Sequence, residues 1–360
     1  MSERVLHFRQ PAGTSRGIYT SRRSWFVTLS DGEGHKGIGE CAPLPNLSCD
    51  DIPDYAEKLT GFCQTFCEKF NTSPNGILPA PSAPLTPCSN ENAMRLLDQL
   101  PLRAFPSMRF GLETALLNLF AGSPVLFDTP FGRGEEGIPI NGLVWMGSHD
   151  EMMTRIEEKL KAGFRCVKLK IGAIDFEQEL DLLSHIRRHY SREQIELRVD
   201  ANGAFSAEDA LQKLERLALY DIHSIEQPIR QGQWSDMAFL CRESPIPIAL
   251  DEELIGVNDP QTKAQLLDII KPSYIILKPS LHGGMSGTIE WIDIAKERGI
   301  RSWITSALES NIGLNAIAHL TAYVYGEHIT MPQGLGTGQL FTDNFTMPLE
   351  IKGDMLWYGT

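Results

Sequence analysis

The 360-residue chain carries 33 Lys and Arg against 46 Asp and Glu, for a formal charge of −13, and is 42% hydrophobic. That balance is globular and excludes disorder as a description of the whole, while so acidic a surface repels nucleic-acid phosphates. At roughly 100–200 residues per domain, the length predicts two domains or one barrel with an appendage.

The first strand-like run, 25–30 (WFVTLS), leads into Asp31-Gly32-Glu33-Gly34, a turn signal that predicts a hairpin. Residues 37–44 (GIGECAPL) read as a strand end entering a proline-terminated loop, and 55–70 have a helical pattern. The stretch 71–92 is rich in Pro, Ser and Asn and reads as a surface loop. Residues 106–121 (PSMRFGLETALLNLFA) then form a strongly apolar helix pattern with proline in its first turn.

From about residue 138 the texture changes, and short apolar runs alternate with amphipathic helix patterns. The runs are 138–145, 166–171, 195–201, 224–228, 246–251, 274–279 and 302–307. Helix patterns lie between them, at about 150–162, 175–189, 206–219, 234–242, 259–270, 285–298 and 311–324. Residues 332–337 are a poor strand by composition but fall where an eighth belongs. Such alternation predicts an α/β protein with a parallel sheet, and seven or eight units in about 200 residues favour a closed (β/α) TIM-type barrel. Periodicity does not show closure, so an open doubly wound sheet stays as the alternative.

No run approaches the roughly 18 apolar residues of a membrane span, and the start lacks the basic head and apolar run of a secretory signal. The seven cysteines form no CxxC pair and no zinc-ligand spacing. They read as reduced thiols in a cytoplasmic protein.

Several runs end in a charge at the C-terminal end of the strand: Lys168 and Lys170 in VKLK, Asp200 in LRVDAN, Glu226 in SIEQP, Asp251 in IALDEE and Lys278 in IILKP. In a (β/α) barrel that end is the mouth, where active sites sit. The carboxylates at 200, 226 and 251 are 26 and 25 residues apart, about one βα unit each, so three neighbouring strands present one apiece. Taken singly, an Asp after a strand is most often a cap or turn residue, and a Lys there a solvated side chain. Three carboxylates in register, flanked by lysines, are hard to explain that way. With no His or Cys among them they form a hard-oxygen donor set suited to Mg²⁺ or Mn²⁺.

These residue types suit proton abstraction from a carbon next to a carboxylate, where a divalent cation neutralises the enolate charge as it forms. Residues two apart on a strand share a face, so Lys168 and Lys170 both point into the barrel. Lys170, nearer the strand end, is the better base. Lys168 is its electrostatic neighbour, expected to depress its pKa by like charge. Lys278 faces them from the far side. The expected partner is a small-molecule carboxylate; nothing calls for nucleic acid or a membrane, and the oligomeric state is not legible.

This set resembles the enolase superfamily, in its muconate-lactonizing-enzyme-like subgroup, over nearly the whole chain. Lys168-Leu169-Lys170 is similar to the family's Lys-x-Lys, Asp200, Glu226 and Asp251 to its metal ligands, and Lys278 to its sixth-strand lysine. The resemblance implies an α+β capping domain over 1–130, completed by about 338–360, and a modified barrel over 131–337. Within the superfamily, 39–45 (GECAPLP), 306–310 (SALES) with Gly313-Leu314, and 334–338 (GLGTG) are similar to the o-succinylbenzoate synthase family of menaquinone biosynthesis.

The reaction this implies is a syn dehydration of 2-succinyl-6-hydroxy-2,4-cyclohexadiene-1-carboxylate to 2-succinylbenzoate through an enediolate. Lys170 takes the α-proton and returns it to the leaving hydroxide, and Lys278 lies over the ring face as a cation. Glu252 is placed to pair with Lys168 or Lys170, with Asn202 near Asp200 in support. Loops at 13–19 and 43–49 are expected to close over the site. From them Arg16 is a candidate for a distal carboxylate, as are Ser306 and Gly336 at the ends of strands seven and eight. The alternative is an N-acylamino acid racemase or dipeptide epimerase using Lys170 and Lys278 as paired bases. Dipeptide epimerases generally carry Asp-x-Asp after the eighth strand, where this chain reads GLGTGQLFTDN with Asp343 alone. A barrel that binds but no longer turns over is a further rival. A His-based dehydratase is disfavoured because His282 lies beyond the sixth strand.

Overall fold

The computed structural model describes residues 1–14, 17–31, 33–72 and 91–359. The chain opens with an antiparallel sheet of β1 (Ser2–Thr14), β2 (Gly17–Ser30) and β3 (Lys36–Cys41), in that order. The hairpin expected at 31–34 joins β2 to β3, pairing Ser30 with Lys36 and Trp25 with Cys41. Helices α1 (Tyr55–Thr72), α2 (Glu91–Asp98) and α3 (Pro106–Ala121) cover this sheet. Most of the loop expected at 71–92 lies outside the described residues; its two ends belong to α1 and α2.

The fit between β3 and α3 is set by glycine. A Cβ on Gly39 would lie 1.8 Å from the Gly111 carbonyl oxygen, so strand and helix backbones touch. The contact buries Met108, Leu112, Ala115 and Leu116 of α3 against Trp25, Val27 and Leu29 of β2. Each large side chain so buried contributes about 1.5–3 kcal/mol relative to exposure.

The second body begins with β4 (Ile138–Pro139) and β5 (Gly142–Val144). There follow α4 (His149–Lys161), β6 (Cys166–Lys170), α5 (Phe176–His189), β7 (Glu196–Asp200), α6 (Ala210–Ala218) and β8 (Ile222–Glu226). Then come α7 (Trp234–Glu243), β9 (Ile248–Leu250), α8 (Pro260–Ile270), β10 (Tyr274–Leu277), α9 (Gly284–Lys296), β11 (Arg301–Ile304) and α10 (Asn311–Tyr325). Strands β5 to β11 form one seven-stranded parallel sheet in sequence order, with the helices packed on its outer face. Polar caps start several of these helices; Ser148 and Glu151 form a reciprocal capping box on α4.

The eighth position is filled without a regular strand. Gln333 bridges Ile140 and Gly334 bridges Thr305, both in parallel sense, so the segment closes the ring between β5 and β11. The Gln333 side chain helps, its Oε1 accepting from the Ile304 N–H at 2.8 Å. Closure by two backbone bridges and a side chain explains why the composition here reads poorly as a strand. An open sheet is excluded.

The C-terminal tail contacts both bodies. Phe341 bridges Phe8 of β1, while β12 (Leu349–Lys352) and β13 (Met355–Tyr358) form a hairpin that pairs with β4. Among the described residues no helix is long and apolar enough to cross a membrane.

Two carboxylates of the N-terminal body dock on helix starts of the barrel. Glu113 of α3 accepts the Met285 N–H at 2.6 Å in the first turn of α9. Glu40 of β3 accepts from the Ser310 and Gly313 N–H groups, both at 3.0 Å, at the start of α10. Helix N-termini present unsatisfied N–H groups and partial positive charge, so both contacts fix the relative placement of the bodies.

Candidate active site

Lys168 and Lys170 lie on β6, and Asp200 and Glu226 are the last residues of β7 and β8. Parallel pairing sets Lys170 level with Asp200, and Asp200 level with Glu226. Asp251 directly follows β9, and Lys278 directly follows β10. The six side chains therefore converge at the C-terminal end of the sheet.

Their contacts are direct. Lys170 Nζ lies 2.9 Å from Asp200 Oδ2 and 2.7 Å from Asn202 Oδ1. Lys168 Nζ is 3.0 Å from the same Asp200 oxygen and donates to Glu226 Oε2. Lys278 Nζ donates to Asp251 Oδ2. Glu252 joins Lys170 through Asn202, whose Nδ2 donates to Glu252 Oε1 at 2.9 Å. Asn202 thus links Glu252 to Lys170 through its side-chain amide.

Local backbone geometry supports this arrangement. Asn202 (φ 44°) and Gln227 (φ 42°) both hold left-handed conformations just past the ends of β7 and β8. From there Gln227 Oε1 accepts the N–H groups of Asp251 and Glu253, both at 3.2 Å, which ties the end of β8 to that of β9. His282 Nδ1 accepts the Lys278 N–H at 2.9 Å, so it orients the sixth-strand end; burial holds its imidazole neutral, with the pKa lowered to about 3.

Charge is dense and buried here. Burial works against the Lys168 ammonium, but Asp200 and then Glu226 overcome it and hold the lysine above its ordinary value. Lys278 is raised in the same way against its burial, chiefly by Asp251. Asp200 is held below the carboxylate range, its burial outweighed by Lys168 and Lys170. Glu226 is pushed well above that range by burial and by Asp200. The sequence reading cast Lys168 as a neighbour acting on Lys170 by like charge; its nearest partners prove to be carboxylates.

The donor set fits a hard divalent cation. Asp200, Glu226 and Asp251 are each 3% exposed or less. Glu226 Oε1 and Asp251 Oδ1 are buried without a hydrogen-bond donor among the described residues. Leaving carboxyl oxygens so is costly, and a cation ligated by oxygen alone relieves it. Each of the three carboxylates also meets an ammonium, Asp200 and Glu226 that of Lys168 and Asp251 that of Lys278.

Lys168, Lys170, Lys278, Asp200 and Glu226 line one cavity of about 1100 Å³, its open mouth included, with Asp251 held behind Lys278. Ser306 and Gly336 line it too, with Ser306 Oγ 2.6 Å from Thr337 Oγ1. Arg16 lies outside the described residues. The apolar wall comprises Tyr19, Leu44, Leu47, Trp145 and Leu308, none singled out from the sequence. Leu44 and Leu47 belong to a loop expected to close over the site, Tyr19 falls in the other span read as such a loop but lies in β2, and Trp145 ends the first barrel run, so loop and strand-end position were the available signals.

A capped (β/α) barrel with carboxylates on three successive strand ends and lysines on either side is the architecture of the enolase class. The Enolase C-terminal domain-like family model matches residues 151–357. The o-succinylbenzoate synthase of Desulfotalea psychrophila is 49% identical over 98% of this chain and 96% of its own. The crystal structure of MenC from that organism superposes with a TM-score of 0.80 at 44% identity, covering 99% of this chain and 98% of that one. A dipeptide epimerase structure from Enterococcus faecalis shares the fold, with a TM-score of 0.78 at 23% identity over 99% and 95% of the two chains. The chain belongs to the enolase superfamily and, within it, to the o-succinylbenzoate synthase family.

Proposed function

We propose that this protein is a cytoplasmic o-succinylbenzoate synthase, a hydro-lyase of menaquinone biosynthesis. It dehydrates 2-succinyl-6-hydroxy-2,4-cyclohexadiene-1-carboxylate to 2-succinylbenzoate. The observation that carries this reading is the near full-length similarity to such a synthase, together with lysines and carboxylates converging in one cavity. In this reading residues 1–130, completed by about 338–360, cap the mouth of a barrel formed by 131–337, although the β12–β13 hairpin of that tail pairs with β4.

Asp200, Glu226 and Asp251 would hold Mg²⁺, the ion its superfamily generally uses. When bound, the ion supplies Lewis-acid neutralisation of the substrate carboxylate as it takes on enolate charge. Lys170 removes the α-proton, its amine steered by Asn202 Oδ1. The resulting ammonium then gives that proton to the departing hydroxyl on the same face, so water leaves and the lysine is regenerated. Lys278 keeps its charge beside Asp251 and stabilises the anionic ring from the opposite side. Lys168 stays protonated between Asp200 and Glu226 and fixes their orientation.

The epimerase reading uses the same lysines, but it needs an acid for a substrate ammonium. Asp343, the one carboxylate of the 334–344 segment, is committed to β1: it accepts the His7 N–H at 2.8 Å and lies 2.9 Å from His7 Nδ1. The test is loss of the diene absorbance of the substrate with purified protein and Mg²⁺, with and without EDTA. Turnover abolished by EDTA is expected. Absence of turnover, with α-proton exchange in N-acylamino acids instead, would overturn the synthase assignment.

A further inference from the structure

Two segments that the mechanism leaves without a role, 39–45 and 306–310, meet at a third residue. Arg22, on β2, is 1% exposed and lies between the two bodies. Its Nη1 donates to the Pro43 carbonyl and its Nη2 to the Ala42 carbonyl, both at 2.6 Å. From the same side chain, Nε reaches the Leu308 carbonyl and Nη2 the Ala307 carbonyl, both at 3.3 Å. One guanidinium thus gathers two carbonyls from each segment.

Two of the four carbonyls belong to residues that line the cavity, Ala307 and Leu308, and the other two directly precede Leu44, which also lines it. Leu44, Ala307 and Leu308 line it and pack together with Leu281 in a small apolar cluster. Leu308 is held at φ 65°, a conformation a leucine seldom adopts, so a contact must hold it there. Glu309 extends the arrangement, accepting the Ala307 N–H at 2.7 Å and the Ser280 hydroxyl, two residues past Lys278.

Docking of the two bodies does not require these bonds, because Glu113 and Glu40 already anchor helix starts α9 and α10. What Arg22 adds is the spacing of the two loops. Only an arginine brings enough donors, in a fixed planar fork, to satisfy four carbonyls from one buried point. Lysine has three donors about one nitrogen and cannot span both loops.

We propose that Arg22 is a positioning residue that clasps the 42–45 loop to the 306–309 loop and so sets the wall against which the substrate ring is held. The proposal rests on the synthase reading for its substrate. Binding, rather than proton transfer at Lys170, then depends on Arg22.

The test compares Arg22→Met and Arg22→Lys with Lys263→Met. The last removes another buried cation, whose bonds run to Gly287 O (3.1 Å) and Glu290 (2.8 Å), away from the cavity. Steady-state kinetics on the cyclohexadiene substrate with Mg²⁺ should show KM raised about tenfold or more by Arg22→Met, with kcat within about threefold. Arg22→Lys should fall between, and Lys263→Met should leave KM unchanged. An unchanged KM in Arg22→Met, or an equal rise in Lys263→Met, overturns the proposal. Amide hydrogen exchange reads the clasp without turnover. Faster exchange in both 42–48 and 306–310 is expected in Arg22→Met but not in Lys263→Met, and no difference overturns it. Failure of wild-type turnover would count against the synthase reading alone.

Discussion

Lys170 and Asn202 face each other at 2.7 Å, Nζ to Oδ1, and the same amide donates onward to Glu252 at 2.9 Å. Asn202 thereby aims the amine proposed as the base and links it to a buried carboxyl whose pKa is raised, by burial first and then by Asp251. Replacing Asn202 with glycine removes the amide while suiting the left-handed backbone at φ 44°. Steady-state kinetics should show kcat lowered about 10–100-fold, the scale of a hydrogen bond to a charged group, with KM changed far less. A loss confined to KM would contradict the orienting role.

The carboxylate set should couple metal binding to stability. A ligand that binds only the folded state at a hundredfold excess over its Kd stabilises by about 2.7 kcal/mol. Thermal unfolding of the wild type should therefore shift upward by about 5 °C or more in saturating Mg²⁺. Asp251→Asn, which weakens one donor, should abolish most of that shift. An unchanged shift would remove Asp251 from the ligand set.

Asp50 gives a pH dependence away from the site. It is fully buried, accepts from Ser107 N–H (2.8 Å) and Oγ (2.6 Å), and burial pushes its pKa up to about 6. In the unfolded chain the same group titrates near about 3.9. The folded state thus keeps a proton that the unfolded chain releases. The stabilisation is complete below about pH 4 and is lost as pH rises through 6, about 3 kcal/mol in all. Denaturant unfolding from pH 4 to 7 should show this falling contribution in the wild type, and Asp50→Asn should lack it.

Glu113 joins two functions in one buried carboxylate, capping α9 and pairing with Arg109 Nε at 2.8 Å. Glu113→Ala leaves the helix start uncapped and takes one partner from a buried guanidinium. Urea unfolding should show a loss of about 3 kcal/mol or more. A loss below about 1 kcal/mol would mean that Asp98, 2.5 Å from Arg109 Nη2, compensates.

Asp200, Glu226 and Asp251 were legible because βα periodicity marks strand ends, and strand ends mark the barrel mouth. The closing segment was not, since Gln333 and Gly334 act through isolated bridges and a side-chain amide that leave no alternating pattern. Helix α2 begins inside a stretch whose Pro, Ser and Asn content reads as loop. Arg22 was invisible for another reason. It sits beside Arg23 in a polar part of β2, and its partners at 307 and 308 lie 285 and 286 residues away. The lysine–carboxylate pairing likewise depends on side-chain reach that spacing along the chain does not encode.

The most direct test of the central claim is dehydration of 2-succinyl-6-hydroxy-2,4-cyclohexadiene-1-carboxylate by wild type and Lys170→Ala, each folded and saturated with Mg²⁺. Rapid aromatisation by the wild type and a loss of about 10³-fold or more in the variant are expected of a residue that moves the proton twice. Turnover by Lys170→Ala within about tenfold of wild type would contradict the mechanism and move the base elsewhere in the cavity.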